Sequence, residues 1–287
     1  MKRLGIIVNA GKARAADALR RVAAMAAETG MDVILDARVG ALAPDLKALP
    51  TARFAGSVDG VVVMGGDGTM LDAAHRLRGT GLPLMGLNLG SLGYLTSVEE
   101  IQFGTALACL SQDRFRVEQL ATLAVTIARA DGSLTTLQHA LNDVVVGRGA
   151  IGRLVWLKLE LDGRELTTYA CDGIIVATPT GSTAYSLAAG GPIIMPGTRA
   201  FAIGVICPHT LTSRPLVVSD ASAVSIGMAR ADKDAPLLVS VDGQEGTILS
   251  ACEQVHVRRS PNDVPVIHLP DYNAFSVLSR KLGWGGR

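Results

Sequence analysis

Apolar positions along the chain follow two different periods. As far as about residue 115, short continuous apolar runs alternate with stretches that repeat every three to four residues. Residues 5–8 form the first run. An Ala-rich stretch over 13–29 follows, in which Leu19, Val22, Ala23 and Ala26 fall on one helical face and Gly30 supplies a stop. Residues 33–35, 59–64 and 83–87 read as further strands, with a helix predicted over 69–77. Runs that are apolar at every position suit strands covered on both faces. Such alternation of strand and helix predicts an α/β domain with a parallel, doubly wound, Rossmann-like sheet.

Beyond residue 115 the period shortens to two. Leu123, Val125 and Ile127 alternate with Ala and Thr, and the strand over 156–161 alternates in the same way. Asp131-Gly132 and Asp162-Gly163 mark hairpin turns. Further short β-like runs lie at 173–177, 202–207, 216–219, 224–228, 237–241 and 254–258, so this half reads as an all-β, sandwich-like domain. The stretch 271–282 is helical again. The expected organisation is therefore an α/β domain over 1–117, a β-rich domain over 118–265, and a terminal segment, 266–287, whose helix returns to the first domain.

Composition narrows the classes. Of the 287 residues 48% are hydrophobic and 18% charged, which excludes a disordered chain. No run approaches the roughly 18 apolar residues of a membrane span, and the first apolar run is too short for a secretory signal. The expectation is a soluble, cytoplasmic-type protein with no membrane partner. A net charge of +1 removes the basic footprint of a duplex binder, so no nucleic-acid partner is expected. The 4 cysteines lie far apart with no C-x-x-C pair, and no H-E-x-x-H spacing occurs, so no protein metal site is expected. Glycine stands out, at 32 residues against an average usage of about 7%.

Placement separates the glycines that carry chemistry from those that do not. Gly147-Arg148-Gly149-Ala150-Ile151-Gly152 matches G-x-G-x-x-G, but the following residues alternate as a strand, whereas a dinucleotide fingerprint opens a helix. It reads as a glycine-rich β-turn. Gly65-Gly66-Asp67-Gly68-Thr69 follows a buried strand and precedes a helix, at the carboxyl edge where open α/β sheets bind ligands. Consecutive glycines with positive φ would form a nest for phosphate oxygens, with Thr69 as N-cap. An aspartate in such a nest needs a task, either holding Mg²⁺ or taking a proton from an attacking hydroxyl. A tight turn with an Asx-type hydrogen bond is the bland alternative. A second cluster runs from Asp172 through Thr178-Pro179-Thr180-Gly181-Ser182-Thr183-Ala184-Tyr185-Ser186 to Gly190-Gly191-Pro192. Its hydroxyls could hold the polar edges of a nucleotide, and Tyr185 offers a stacking face.

Taken with Asn88-Leu89-Gly90-Ser91-Leu92-Gly93-Tyr94-Leu95-Thr96, Asn142-Asp143, Pro208-His209-Thr210, Asp242-Gly243-Gln244 and the tail Leu278-Ser279-Arg280-Lys281-Leu282-Gly283-Trp284, these motifs resemble the NAD kinase family in its bacterial form. The match extends over nearly the whole chain, and the ordered set is highly specific. The resemblance implies transfer of a phosphoryl group from ATP or polyphosphate to the 2′-hydroxyl of the adenosine ribose of NAD, giving NADP. A divalent cation such as Mg²⁺ would accompany ATP, and the assembly would be a homodimer or homotetramer. It implies Asp67 as proton acceptor, with Gly68 beside it, and Asn142 and Asp143 as paired polar contacts to NAD. Asp172, Thr183, Ala184, Tyr185, Ser186, Leu187 and Ala188 fall on the segment lining the dinucleotide, and Gln244 and Arg153 on further contact positions. Three residues depart from the commoner pattern: Asp143 stands where glutamate is frequent, Tyr94 replaces phenylalanine, and Ala170 sits where relatives often carry arginine. The competing readings are a lipid or diacylglycerol-type kinase sharing only the Gly65–Thr69 loop, and a non-catalytic NAD sensor, in which Asp67 would have no task.

Overall fold

The computed structural model describes residues 1–90, 93–149, 154–229, 236–244 and 246–284. In chain order the elements are β1 (Arg3–Val8), α1 (Ala15–Glu28), β2 (Asp32–Asp36), β3 (Ala48–Leu49), α2 (Thr51–Phe54), β4 (Gly60–Gly65), α3 (Asp67–Arg76), β5 (Leu84–Asn88), α4 (Phe103–Ser111) and β6 (Arg116–Leu120). Then come β7 (Leu123–Ala128), β8 (Leu134–Thr136), β9 (Asp143–Arg148), β10 (Val155–Leu161), β11 (Arg164–Cys171), β12 (Gly173–Ala177) and α5 (Tyr185–Ala188). The chain ends with β13 (Ala200–Ile206), β14 (Leu216–Ser219), β15 (Val224–Met228), β16 (Leu237–Val241), β17 (Thr247–Leu249), β18 (Gln254–Arg259), β19 (Val264–His268) and α6 (Ala274–Leu282). Two compact units result, one of residues 1–119 with 264–287, the other of residues 120–263.

The first unit is built on a sheet whose described strands run β3-β2-β1-β4-β5-β19-β6. The pairs β1/β2, β1/β4, β2/β3, β4/β5 and β5/β19 are all parallel. Leu4, Ile6, Val8, Val62, Met64, Met85 and Leu87 alternate along the strands onto one face, where α1 and α4 bring Leu19, Val22, Phe103 and Leu107. Phe54 packs against Gly5 and Val61 on the other face. The chain leaves β1 toward β2 and β3 and then crosses back to β4, so strand order reverses between β1 and β4. That switch point leaves a crevice at the carboxyl ends of the two strands, the default ligand position of an open α/β sheet.

The second unit is a sandwich of two sheets, with described orders β11-β10-β15-β18-β7-β8 and β14-β13-β12-β9-β16-β17. One apolar core fills the space between them, with Val125, Leu157, Ile226 and Val255 from one sheet facing Val144, Ile174, Phe201 and Val239 from the other. Asp162-Gly163 carries positive φ at both residues, as a two-residue hairpin turn requires, and Gly132 does so in the β7–β8 turn.

Candidate active site

Asp67 is the first residue of α3, directly beyond the carboxyl end of β4. The helix therefore begins two residues earlier than its apolar spacing predicts. Gly66, extended at φ −118°, is the N-cap, and Thr69 lies inside the first turn instead of capping it. None of Gly65, Gly66 and Gly68 has a positive φ, so the expected nest is not how these glycines are used. A Cβ on Gly65 would stand 2.3 Å from Thr69 Oγ1, and one on Gly68 would meet open space. Glycine here lets the turn close behind Asp67 and leaves the backbone in front of it bare.

The Asp67 carboxylate binds the segment that follows β5. Its Oδ2 accepts from Tyr94 N–H at 2.8 Å, and its Oδ1 accepts from Leu95 N–H at 2.9 Å and Thr96 N–H at 3.2 Å. Lys281 Nζ, in the last turn of α6, donates to Oδ2 at 3.2 Å. Gly93 makes this closeness feasible, because a Cβ there would lie 2.2 Å from Asp67 Oδ1. Burial pushes the carboxyl pKa up. The Tyr94 hydrogen bond, the Lys281 charge and the Leu95 hydrogen bond outweigh it and hold Asp67 below its ordinary value. The positive end of the α3 dipole acts in the same direction. Tyr94 is buried with its hydroxyl unpaired, and burial raises its pKa.

In the second unit a different aspartate organises the polar residues. Asp242 and Gly243 both have positive φ in the turn after β16. The Asp242 carboxylate accepts the N–H groups of Leu141, Asn142 and Asp143 at 2.8, 2.7 and 3.0 Å. Its own N–H donates to Asp143 O at 2.9 Å. On the other side, Thr178 ties the turn after β12 to the same strap: its N–H donates to Asn142 O, and its hydroxyl donates to Leu141 O at 2.6 Å. Gly181 lies so close that a Cβ would stand 2.0 Å from Asn142 O. Asn142, Asp143, Val145, Ala184, Tyr185, Ser240, Asp242 and Gly243 line a cavity of about 320 Å³. Burial, and then the nearby Asp242 charge, push the Asp143 carboxyl up to about 7.

The hydroxyls of this segment are less available than their density in the sequence suggests. Thr178, Ser182 and Thr183 donate to the carbonyls of Leu141, Pro179 and Thr180, so three of them serve the turn itself. Ala184, Tyr185 and Ala188 face outward, Leu187 is half-buried, and Ser186 is buried with its hydroxyl unpaired. Asp172 lies at the other end of β12, paired with Arg148 at 3.2 Å. Since Ala177 pairs with Asp143 and Gly173 with Gly147, it stands roughly 16 Å of strand away from the Asn142 strap. His209 donates its backbone N–H to Ala170 O at that same far end. Gln244 borders a separate cavity with Val239 and Val241, and Arg153 lies outside the described residues. Of the 147–152 stretch, Gly147 and Arg148 close β9 and Gly149 bends away from it, and no helix starts at these described residues. Asp242 and Lys281 lie in motifs that carry the family resemblance, but sequence reasoning assigns neither a role at the site.

The described residues offer Mg²⁺ no protein cage. Among the described residues there is no group of three or more metal-ligating side chains, and both Asp67 oxygens are engaged by donors. The donor set does not fit a resident ion, and a cation carried by substrate phosphates needs none. No helix among the described residues is long and apolar enough to cross a membrane.

Comparison with known proteins agrees with this architecture. Residues 4–115 match the ATP-NAD kinase N-terminal domain and residues 141–269 the ATP-NAD kinase C-terminal domain. The NAD kinase of Syntrophotalea carbinolica is 37% identical over 291 residues, covering 100% of both chains. That of Geobacter sulfurreducens is 42% identical over 230 residues, 80% of each chain. In fold, the chain is similar to yeast NADH kinase, solved in complex with NADH, with a TM-score of 0.91 over 100% of this chain and 89% of that one at 24% identity. With both domain models matched in order and relatives aligned from end to end, the chain belongs to the NAD kinase family.

Proposed function

We infer that this protein is an NAD kinase that transfers the terminal phosphoryl group of ATP to the 2′-hydroxyl of the adenosine ribose of NAD, forming NADP. The observation that carries the catalytic part is the placement of Asp67: a sheltered carboxylate at a helix N-terminus, on the carboxyl edge of β4 beside the switch point of the sheet. A ribose hydroxyl is a weak nucleophile. A carboxylate that takes its proton as the oxygen–phosphorus bond forms contributes about 10²–10⁴-fold. The remaining acceleration comes from positioning and from charge stabilisation of a loose transition state, where a divalent cation on the ATP phosphates supplies positive charge. Gly68, which presents bare backbone after Asp67, suits the approach of a phosphate oxygen.

The second unit supplies nucleoside recognition. Asn142 can donate and accept, the Asp143 carboxylate can receive two ribose hydroxyls, and Tyr185 offers an exposed ring at the edge of the same cavity. Ala184 lines the same cavity and Thr183 holds the turn through the Thr180 carbonyl, while Ser186, Leu187 and Ala188 remain contacts to the dinucleotide by the resemblance. Asp172, Arg153 and Gln244 stay as outer contacts to the dinucleotide on the strength of the family pattern alone. Polyphosphate as an alternative donor, and assembly as a cytoplasmic homodimer or homotetramer, rest on that same resemblance.

Incubation with NAD, ATP and Mg²⁺, with NADP read by an NADP-specific dehydrogenase, tests this reading. NADP formation that disappears in Asp67→Asn while NAD still binds is expected. NAD binding without product from ATP or polyphosphate would show a sensor instead.

A further inference from the structure

Asp67 has a full complement of donors. A carboxylate offers about four lone-pair positions. Oδ2 takes the Tyr94 N–H and Lys281 Nζ, and Oδ1 takes the N–H groups of Leu95 and Thr96, with the Thr96 hydroxyl a longer fifth donor at 3.4 Å. An acceptor hydroxyl can bond to Asp67 only by replacing one of them. The three amides belong to one backbone segment, closed down on the carboxylate over Gly93, and cannot leave singly. Thr96 is fully buried, which leaves Lys281 as the donor that can move: its ammonium sits on a flexible four-carbon stem and its side chain is 33% exposed.

The base of that stem is well fixed. Asn273 caps α6 through its side chain, Gly283 closes it with φ 68°, and Val277 and Leu278 are buried. The neighbouring Arg280 is paired with Glu99 at 2.9 Å, which ties the last turn to the segment after β5. The ammonium itself stands 6.0 Å from the centroid of the Tyr94 ring. A cation is thus held beside the carboxylate by a stem free to swing and a root that is not.

We propose that Lys281 is a catalytic residue that exchanges partners: it yields its place on Asp67 Oδ2 to the acceptor hydroxyl and turns its ammonium toward the oxygens of the transferred phosphoryl group. In the step, the 2′-oxygen of NAD bonds to the terminal phosphorus of ATP and the bond from that phosphorus to the bridging oxygen breaks. ADP leaves with the electron pair, the hydroxyl proton passes to Asp67, and Lys281 keeps its own proton. Charge spreads over the equatorial oxygens in such a transition state, and an ammonium that starts 3.2 Å from Asp67, the group that receives the attacking hydroxyl, needs only a swing of its stem to face them. This rests on the reading of Asp67 as the group that receives the acceptor hydroxyl.

The test compares wild type, Lys281→Ala and Lys281→Arg with NAD, ATP and Mg²⁺, with and without added ethylammonium. Lys281→Ala is expected to lose about 10²–10³-fold in kcat, with KM for NAD changed by less than about threefold. Ethylammonium, which replaces the missing end of the side chain, should restore at least about tenfold of that loss in a saturable way, and Lys281→Arg should keep part of the activity. A misfolded variant cannot be rescued by a small amine. Turnover of Lys281→Ala within about threefold of wild type would overturn the proposal, as would an inactive variant that ethylammonium does not revive. A wild-type protein that forms no NADP at all would instead remove the kinase reading beneath it.

Discussion

The N-terminus of α3 and the start of β9 each hold one sheltered aspartate, and the two surroundings act on it in opposite directions. Asp67 receives three backbone N–H groups and an ammonium, which together outweigh its burial and keep it ionised. Asp143 is more deeply buried, faces a second carboxylate in Asp242, and is pushed up to about 7. The donors that could relieve it are spent elsewhere: the N–H groups of Leu141, Asn142 and Asp143 itself all go to Asp242. One side chain type is thus held below its ordinary pKa at the N-terminus of α3 and raised above it at the Asn142 cavity. Separation of pKa values by environment is how acid and base tasks are divided on a single fold.

The largest effect that would sharpen this contrast comes from Asp67→Asn. Its kcat is expected to fall about 10³-fold, while NAD affinity by calorimetry stays within about threefold. Wild-type turnover in this variant would break the account of the first unit. Next, the two crowded glycines should fail in different ways. In Gly93→Ala the new Cβ would stand 2.2 Å from Asp67 Oδ1 and displace the carboxylate, with an expected loss of about 10² in kcat. In Gly181→Ala the new Cβ would stand 2.0 Å from Asn142 O, so KM for NAD should rise about tenfold with kcat little changed. Steady-state kinetics on the pair decides, and the same parameter changing in both would erase the distinction.

A pH series gives a smaller and graded effect. Asp143 must be ionised to accept two ribose hydroxyls, so NAD affinity should weaken by up to about tenfold for each pH unit below 7. Asp143→Asn should bind more weakly and lose that slope. The smallest expected effect is on stability. Asp143 has a folded pKa above its unfolded value, so its contribution to stability is full below the unfolded pKa and is lost as pH rises through about 7. At pH 8 the folded protein carries that cost, and Asp143→Asn should raise the unfolding free energy by about 1–2 kcal/mol in urea titration. Asp67 has the opposite sign, since its depressed pKa gives stability that is present above the ordinary carboxylate value and lost as pH falls through the folded one.

Elements whose pattern is local could be read from the sequence. The face of α1 carrying Leu19, Val22, Ala23 and Ala26 is buried as its spacing predicts, and β12, β14, β15 and β16 begin and end where the alternation says. The strand β19 escapes such a reading because Pro265 interrupts a short run, and its place beside β5 is set by a partner about 180 residues earlier in the chain. β11 escapes because an edge strand of exposed polar residues carries no apolar alternation. At the site, Asp67 stands out by its motif, and its position at the sheet edge follows from the strand before it. Lys281 and Asp242 sit in motifs of the resemblance, but their tasks do not stand out, because each acts on a residue 214 or about 100 positions away. Asp242-Gly243 signals only a turn, and three hydroxyls that look like ligand contacts turn out to hold backbone carbonyls.

The opposed states of the two aspartates can be observed directly by carboxyl carbon NMR on protein labelled at the aspartate side-chain carbonyl, with signals assigned by comparison with Asp67→Asn and Asp143→Asn. The account predicts an Asp143 signal that titrates at about 7 and an Asp67 signal that stays ionised down to below its ordinary value of 3.8. Two signals titrating together near the ordinary carboxylate value, or Asp67 titrating above Asp143, would contradict it.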